Sequence, residues 1–317
     1  MNAFENSQYK GVFPMKPALI IGSTCVDIIL HIDHLPKTAE NLRPASQTMA
    51  LGGCAYNVSH TMRLFHAPHD LITPIGTGIY GDYVADQLSR QQIPLSIRVP
   101  DQDNGCCYCL VEATGERTFL SIHGAEYSFQ KSWMDAYPAE NYQLVYLCGL
   151  EVEEPTGTEL IEYLEEHPCL SVCYAPGPRG ARIPSEKTAR LLKLRPLLHL
   201  NEQEALQLSC CSSYEEAAEN LHSRTRNAVI ITLGERGAYC KEKEGTILRI
   251  PSVPSRHVID TIGAGDAHIG AILALLTKGC SLQEAVSCAN LLSAAVVEHP
   301  GATLPARKIP DALKKYL

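Results

Sequence analysis

The feature that most restricts the fold of this 317-residue chain is a repeated alternation of short apolar runs with amphipathic helical segments. Apolar stretches bounded by Gly, Pro or Asp occupy residues 18–23, 70–76, 144–149, 170–174, 197–200 and 229–233. Each has strand length and is too uniformly apolar for a sheet with one wet face, which predicts parallel strands covered on both sides. Helical patterns lie between them, at 55–65, 80–90, 156–165, 186–193 and 214–222. A strand, a crossover helix and a parallel strand make a right-handed βαβ unit. The expected architecture is a doubly wound α/β sheet, mostly parallel and flanked by helices.

Two stretches break this rhythm. Residues 26–50 and 105–123 read as strands, the second with strand-like runs flanking the turn Ala113-Thr114-Gly115-Glu116. A small inserted β-sheet beside an α/β core is a natural lid, because closure over a ligand excludes water. From Asp260 onward the pattern is helical, at 265–277 and 282–297, with Ala289, Ala294 and Ala295 permitting close packing. With no internal repeat and no low-complexity linker, the expected organisation is a loose tail over 1–16 and one α/β domain over 17–317 that carries the lid.

Composition narrows the partners. The formal net charge is −8 and no Lys/Arg cluster occurs, which argues against a nucleic-acid partner and for a small molecule. The thirteen cysteines are odd in number and scattered through apolar segments, and no secretory pattern precedes them. They read as reduced thiols of a cytoplasmic protein. Residues 1–16 hold no continuous apolar segment, so neither a signal peptide nor an anchor is expected there. The run from Ala271 to Leu276 falls well short of the roughly 18 residues that span a bilayer, and no membrane partner is expected.

The chemistry concentrates in Asp260-Thr261-Ile262-Gly263-Ala264-Gly265-Asp266. Gly263-Ala264-Gly265 precedes a long apolar helix, so backbone N–H groups at a helix N-terminus can receive an anion such as phosphate. Asp266 stands in the first turn, where a carboxylate can take the proton of an alcohol held against a terminal phosphoryl group. An isolated Gly-x-Gly-Asp is more often a turn with a helix cap. The whole string, however, resembles the C-terminal signature of the ribokinase-like, or PfkB, family of carbohydrate kinases, which transfer the γ-phosphoryl group of ATP to a hydroxymethyl group.

Further segments match that family in order. Gly22-Ser23-Thr24-Cys25-Val26-Asp27 closes the first expected strand with an acid, and the resemblance gives Asp27 the hydroxyls of a sugar. Gly52-Gly53-Cys54-Ala55-Tyr56-Asn57 is similar to the family's di-glycine signature, which implies that Gly53 and Asn57 contact substrate. Glu151 falls where a further substrate-facing acid is expected, with Glu153 and Glu154 equally placed. Asn201-Glu202-Gln203-Glu204 looks like the Asn-x-x-Glu motif, implying Asn201 at the nucleotide and Glu204 organising Mg2+ through water, although this spacing alone is a helix capping box. Thr232, Gly234 and Gly237 correspond to the nucleotide loop and Asn290 to a position near the adenine. The resemblance also implies a K+ site around Asp260, Ile262 and residues 297–301. It runs from about Leu19 to Gly301.

The expected function is ATP- and Mg2+-dependent phosphorylation of an unphosphorylated sugar of ribose or ketose type, with Asp266 as general base and the amides of Gly263, Ala264 and Gly265 stabilising the transferred group. Cys54 stands where ribokinases usually carry Lys, which removes an obvious counter-charge for a phosphorylated acceptor; Arg43 and Arg179 are the remaining candidates. His268 replaces a frequent Phe, and Phe65-His66 a frequent Leu-Gly. Tyr56 and Tyr108 keep open a nucleoside acceptor, such as pseudouridine or a purine riboside, through stacking on a base. Two other classes remain: a ligand sensor without turnover, and a dehydrogenase, because Gly76-Thr77-Gly78-Ile79-Tyr80-Gly81 is formally a dinucleotide fingerprint. Cys106-Cys107-Tyr108-Cys109 lacks a second pair at zinc spacing, and the twelve histidines show no ligand spacing. Exposed lid edges invite pairing of two copies, so a homodimer through the lid is expected.

Overall fold

The computed structural model describes residues 16–317, so the tail expected over 1–16 lies almost wholly outside the described residues. The chain begins with β1 (Ala18–Ile21), β2 (Cys25–His31), β3 (Ser46–Gly52), α1 (Cys54–Leu64), β4 (His69–Ile72), β5 (Pro74–Thr77), α2 (Gly78–Arg90) and β6 (Ile97–Asp103). Next come β7 (Cys106–Val111), β8 (Arg117–Ile122), β9 (Leu144–Cys148), α3 (Gly149–Glu153), α4 (Gly157–Glu166), β10 (Ser171–Ala175) and α5 (Ser185–Lys193). The remainder is β11 (Leu197–Asn201), α6 (Glu202–Ser209), α7 (Tyr214–Thr225), β12 (Val229–Thr232), β13 (Ala238–Lys241), β14 (Ile247–Ile250), α8 (Ala264–Thr277) and α9 (Leu282–Val297).

Eight strands form the principal sheet in the order β14-β13-β12-β11-β10-β9-β1-β4. The six from β4 to β12 run parallel, and β13 and β14 close one edge antiparallel. Alternation along each strand divides the core. Ile20, Tyr146 and Ile230 point to one face with α1, α8 and α9, whereas Leu19, Val145, Leu147 and Ile231 point to the other with α4, α5 and α7. Helices therefore cover both faces, as the apolar strands require.

Residues 70–76 do not form the single strand that their composition predicts. Thr73 donates its N–H to Ser96 Oγ, and Pro74 has no N–H for the ladder, so the segment leaves the principal sheet and restarts as β5 paired with β6. The two irregular stretches do build one separate four-stranded sheet, β3-β2-β7-β8, in which β2 pairs parallel with β7 across distant sequence. The glycines of the fingerprint-like turn serve packing: a Cβ on Gly81 would lie 2.4 Å from the Gly76 carbonyl oxygen, so they let α2 start close against β5. No helix among the described residues is long and apolar enough to cross a membrane.

Candidate active site

The turn ahead of α8 is held by one carboxylate. Asp260 Oδ1 accepts from the Ile262 N–H at 2.7 Å and Oδ2 from the Gly301 N–H at 3.0 Å, while the amides of Ile259 and Asp260 donate to the Val297 carbonyl. Gly263 then takes a left-handed conformation, φ 73°, and a Cβ there would meet the Ala302 carbonyl oxygen at 2.2 Å. Only glycine fits. The amides of Gly265 and Asp266 have no hydrogen-bond partner among the described residues. They are free first-turn donors of a 14-residue helix, where the macrodipole favours an anion.

Asp266 is the third residue of α8, half-buried between α8 and α1. The two helices approach closely because Gly270 has no side chain: a Cβ there would lie 2.7 Å from that of Thr61. That approach lets Asn57 Nδ2 donate to Asp266 Oδ2 at 2.8 Å. Burial pushes the Asp266 carboxyl up to about 6, against the smaller opposing effects of the Asn57 hydrogen bond and the Cys54 thiol; the Glu204 charge raises it further. At neutral pH it remains mostly ionised and has an affinity for a proton suited to a base.

Asp27 lies in the interior of β2 and not at the close of the first strand, because the chain turns at Ser23-Thr24 and enters the small sheet. Burial raises its carboxyl to about 6 and the charge of Asp266 adds to this, so the two acids share one electrostatic environment. A glycine that sequence reasoning passed over makes room for it: a Cβ on Gly52 would lie 2.1 Å from Asp27 Oδ2. Gly53, at φ 97°, opens α1 and would bring a Cβ to 2.4 Å from the Ser23 carbonyl oxygen. Glu151 is buried on α3, where one oxygen accepts the Ser23 N–H at 2.8 Å and the other has no partner; burial raises its carboxyl to about 7. It supports the turn at 22–24 from beneath.

On the other side of the α8 N-terminus lies a cavity of about 630 Å³ between the β12–β13 loop and α8 and α9. Thr232, Gly234, Gly237, Ala264, Gly265 and Asn290 are among its lining residues, so the structure gathers four expected nucleotide positions beside the N-terminus of α8. Gly237, at φ 88°, approaches β14 so closely that a Cβ would lie 2.1 Å from the Ile250 carbonyl oxygen. Asn290 Nδ2 donates to the Pro251 carbonyl at 2.8 Å, leaving its Oδ1 to accept from His268 Nε2 at 3.0 Å. His268 Nδ1 then accepts from His199 Nε2 at 2.9 Å, and burial lowers both imidazoles below their ordinary range, so both are neutral. His268, which entered the sequence reading only as a departure, is thus part of the cavity wall.

The profile of the pfkB family carbohydrate kinases matches residues 15–309. The chain belongs to this family. Among its relatives, an Escherichia coli K12 protein described as an uncharacterized sugar kinase, YegV, is 30% identical over 287 residues, covering 89% of each chain. A Salmonella typhi deoxyribokinase is 26% identical over 291 residues, covering 89% of this chain and 92% of its own. Two solved structures share the fold: Thermotoga maritima ribokinase (TM-score 0.82, 23% identity, covering 95% of this chain and 99% of its own) and a Burkholderia thailandensis nucleoside kinase in complex with inosine (0.77, 21%, 94% and 95%). The chain is therefore a kinase, a phosphotransferase with an alcohol group as acceptor.

A pfkB kinase of this sequence can accommodate Mg2+, whereas a K+ ion would have to share Asp260 and Val297 with other partners. Asn201 and Glu204 form a reciprocal capping box outside the cavity: Glu204 N–H to Asn201 Oδ1, Asn201 N–H to Glu204 Oε2 and Asn201 Nδ2 to Glu204 Oε1. Each Glu204 oxygen keeps a lone pair, which suits a hydrated Mg2+ held mainly by phosphates and touching the protein through water. Of the groups expected to hold K+, Asp260 and Val297 are already engaged. The Asp260 carboxylate accepts two amides and pairs with Arg117 Nη1 at 2.9 Å, and the Val297 carbonyl accepts two amides. Tyr56 is buried with its hydroxyl on Gln91 Oε1 and is not free to stack on a base, whereas Tyr108 is half-buried with its hydroxyl 3.3 Å from that of Tyr80. Arg179 is taken by Glu153 in a two-point ion pair, and His123 pairs with Glu154 and stacks on Tyr127.

Proposed function

We propose that this kinase transfers the γ-phosphoryl group of ATP to the hydroxymethyl group of an unphosphorylated sugar of ribose or ketose type. The observation that carries the reading is the place of Asp266: an ionised, partly desolvated carboxylate oriented by Asn57 and flanked by free helix amides, between the 630 Å³ cavity and Asp27. ATP lies along Thr232, Gly234, Gly237 and Asn290 with its terminal phosphate toward the Gly265 and Asp266 amides. Asp27 and Asn57 take sugar hydroxyls, and Gly53 lets the backbone approach them. As the acceptor oxygen bonds to phosphorus and the bond to the ADP oxygen breaks, Asp266 receives the hydroxyl proton and the amides stabilise the charge on the transferring group. Glu204 would hold Mg2+ through water, and the ion would supply neutralisation of phosphate charge.

The polar groups around Asp266 and Asp27 are acids, an amide and thiols, which favour hydroxyls over a phosphate on the acceptor. The four-stranded sheet serves as the lid of the domain. Its edge strand β8 exposes Phe119, Leu120 and Ile122, which supports pairing of two copies through it. The free thiols, many of them buried, support a reducing, cytoplasmic setting. ADP release measured over a panel of sugars, sugar phosphates and nucleosides tests the reading. We expect turnover with a free pentose or ketose; turnover only with a phosphorylated sugar or only with a nucleoside would replace the proposed acceptor.

A further inference from the structure

Arg117, the first residue of β8, crosses from the small sheet to the turn that precedes the phosphate seat. Its Nη1 forms an ion pair with Asp260 Oδ1 at 2.9 Å and donates to Thr261 Oγ1 at 3.2 Å, and its Nη2 donates to the Ile259 carbonyl at 3.4 Å. The side chains of Arg117 and Asp260 are 13% and 11% exposed, so water screens the pair only weakly. We infer that this guanidinium is the built-in cation of the turn: it takes the place of a monovalent metal ion and ties the geometry of the phosphate seat to the position of the small sheet. The inference rests on the kinase reading above.

Three observations carry it. First, two of the groups a K+ ion would need are engaged: the Asp260 carboxylate pairs with Arg117 and accepts the amides of Ile262 and Gly301, and Val297 O accepts two amides. A second cation on the same carboxylate would meet a fixed positive charge. Second, the contact reaches the machinery through one short turn, since Asp260 fixes the Ile262 amide directly ahead of Gly263, whose left-handed conformation sets the first amides of α8. Third, the register puts Arg117 on the sheet face that holds Asp27. Arg117 pairs with Val111 and Val111 with His31, and His31 is four residues from Asp27 on β2. Paired residues share a face, as do residues two and four apart. One face of the sheet thus carries both an acceptor-side acid and the clamp on the phosphate turn. Arg117 touches no reacting atom; it is a positioning residue acting through Asp260.

The test compares the wild-type enzyme with Arg117→Met and Arg117→Lys in KCl, NaCl and choline chloride at equal ionic strength, reading turnover and thermal melting. We expect the wild type to be indifferent to the cation in both readouts. Arg117→Met should lose roughly ten- to a hundredfold in kcat in choline with little change in the KM for ATP, and Arg117→Lys should restore much of that loss. Selective activation or melting stabilisation of the wild type by K+ would overturn the inference, and so would undiminished turnover of Arg117→Met in choline. If Arg117→Met does not fold, Arg117→Lys and the wild-type cation series still decide. Melting needs no turnover, so a failure of the kinase reading would show as inactivity in every salt and leave the melting comparison intact.

Discussion

Replacing Asp266 by Asn should move activity and stability in opposite directions. The carboxyl is raised from 3.8 to about 6, mainly by burial, so its charged form is about 3 kcal/mol less favourable in the folded protein than in the unfolded chain. Partial solvent access at the site reduces the recoverable part to roughly 1–3 kcal/mol. An Asn can still accept the Asn57 Nδ2–H, so the hydrogen bond at 2.8 Å need not be lost. At pH 7.5 the variant should melt roughly 2–6 °C above the wild type, while turnover falls by about 10²–10⁴ for loss of a general base. The stability contribution of a raised carboxyl is complete below 3.8 and disappears as pH rises through about 6, so the melting difference should grow over that window and nearly vanish at pH 4. Scanning calorimetry from pH 4 to 8 with a coupled ADP assay reads both effects. A variant that is less stable than wild type at pH 7.5, or equally active, would refute the reasoning.

Other outcomes follow from the same geometry. The kcat/KM for the acceptor should fall below about pH 6 and approach a two-proton slope, since Asp27 and Asp266 both titrate near 6; a single limb near 4, read from a pH–rate profile, would contradict this. Gly52→Ala places a Cβ 2.1 Å from Asp27 Oδ2 and should raise the acceptor KM by roughly tenfold or more while leaving the ATP KM nearly unchanged, as steady-state kinetics would show. Glu204→Gln keeps an oxygen for the cap and loses the charge, so the Mg2+ concentration for half-maximal rate should rise several-fold in a metal titration, with melting shifted by only a few degrees.

Much of the fold was legible because its evidence is periodic. Uniform apolar runs such as Ala18–Ile21 and Val229–Thr232 are what parallel strands covered on both faces require, and the helices between them follow. The break at Pro74 was missed because Leu71, Ile72 and Ile75 give 70–76 the look of one strand, whereas the missing N–H of proline ends the ladder. The short helices α3 and α6 carry too few residues to show a period, although the Asn201–Glu204 capping box announces the second. At the site, Gly53, Gly263 and Gly237 are visible as glycines whose positive φ explains them. The pairing of Asn57 with Asp266, the seat of Asp27 against Gly52 and the reach of Arg117 to Asp260 are contacts across 209, 25 and 143 positions of sequence, and no local pattern encodes them.

The central claim is transfer of a phosphoryl group to a hydroxymethyl oxygen. The most direct measurement is 31P NMR of the products formed from ATP, Mg2+ and the best acceptor of the panel, run with wild type and with Asp266→Asn. The account predicts ADP and a phosphomonoester in equal amounts, the ester signal split into a triplet by a neighbouring CH2 group, with both absent on the same timescale for the variant. Inorganic phosphate in place of the ester, a signal coupled to a single proton, or equal product from Asp266→Asn would contradict it.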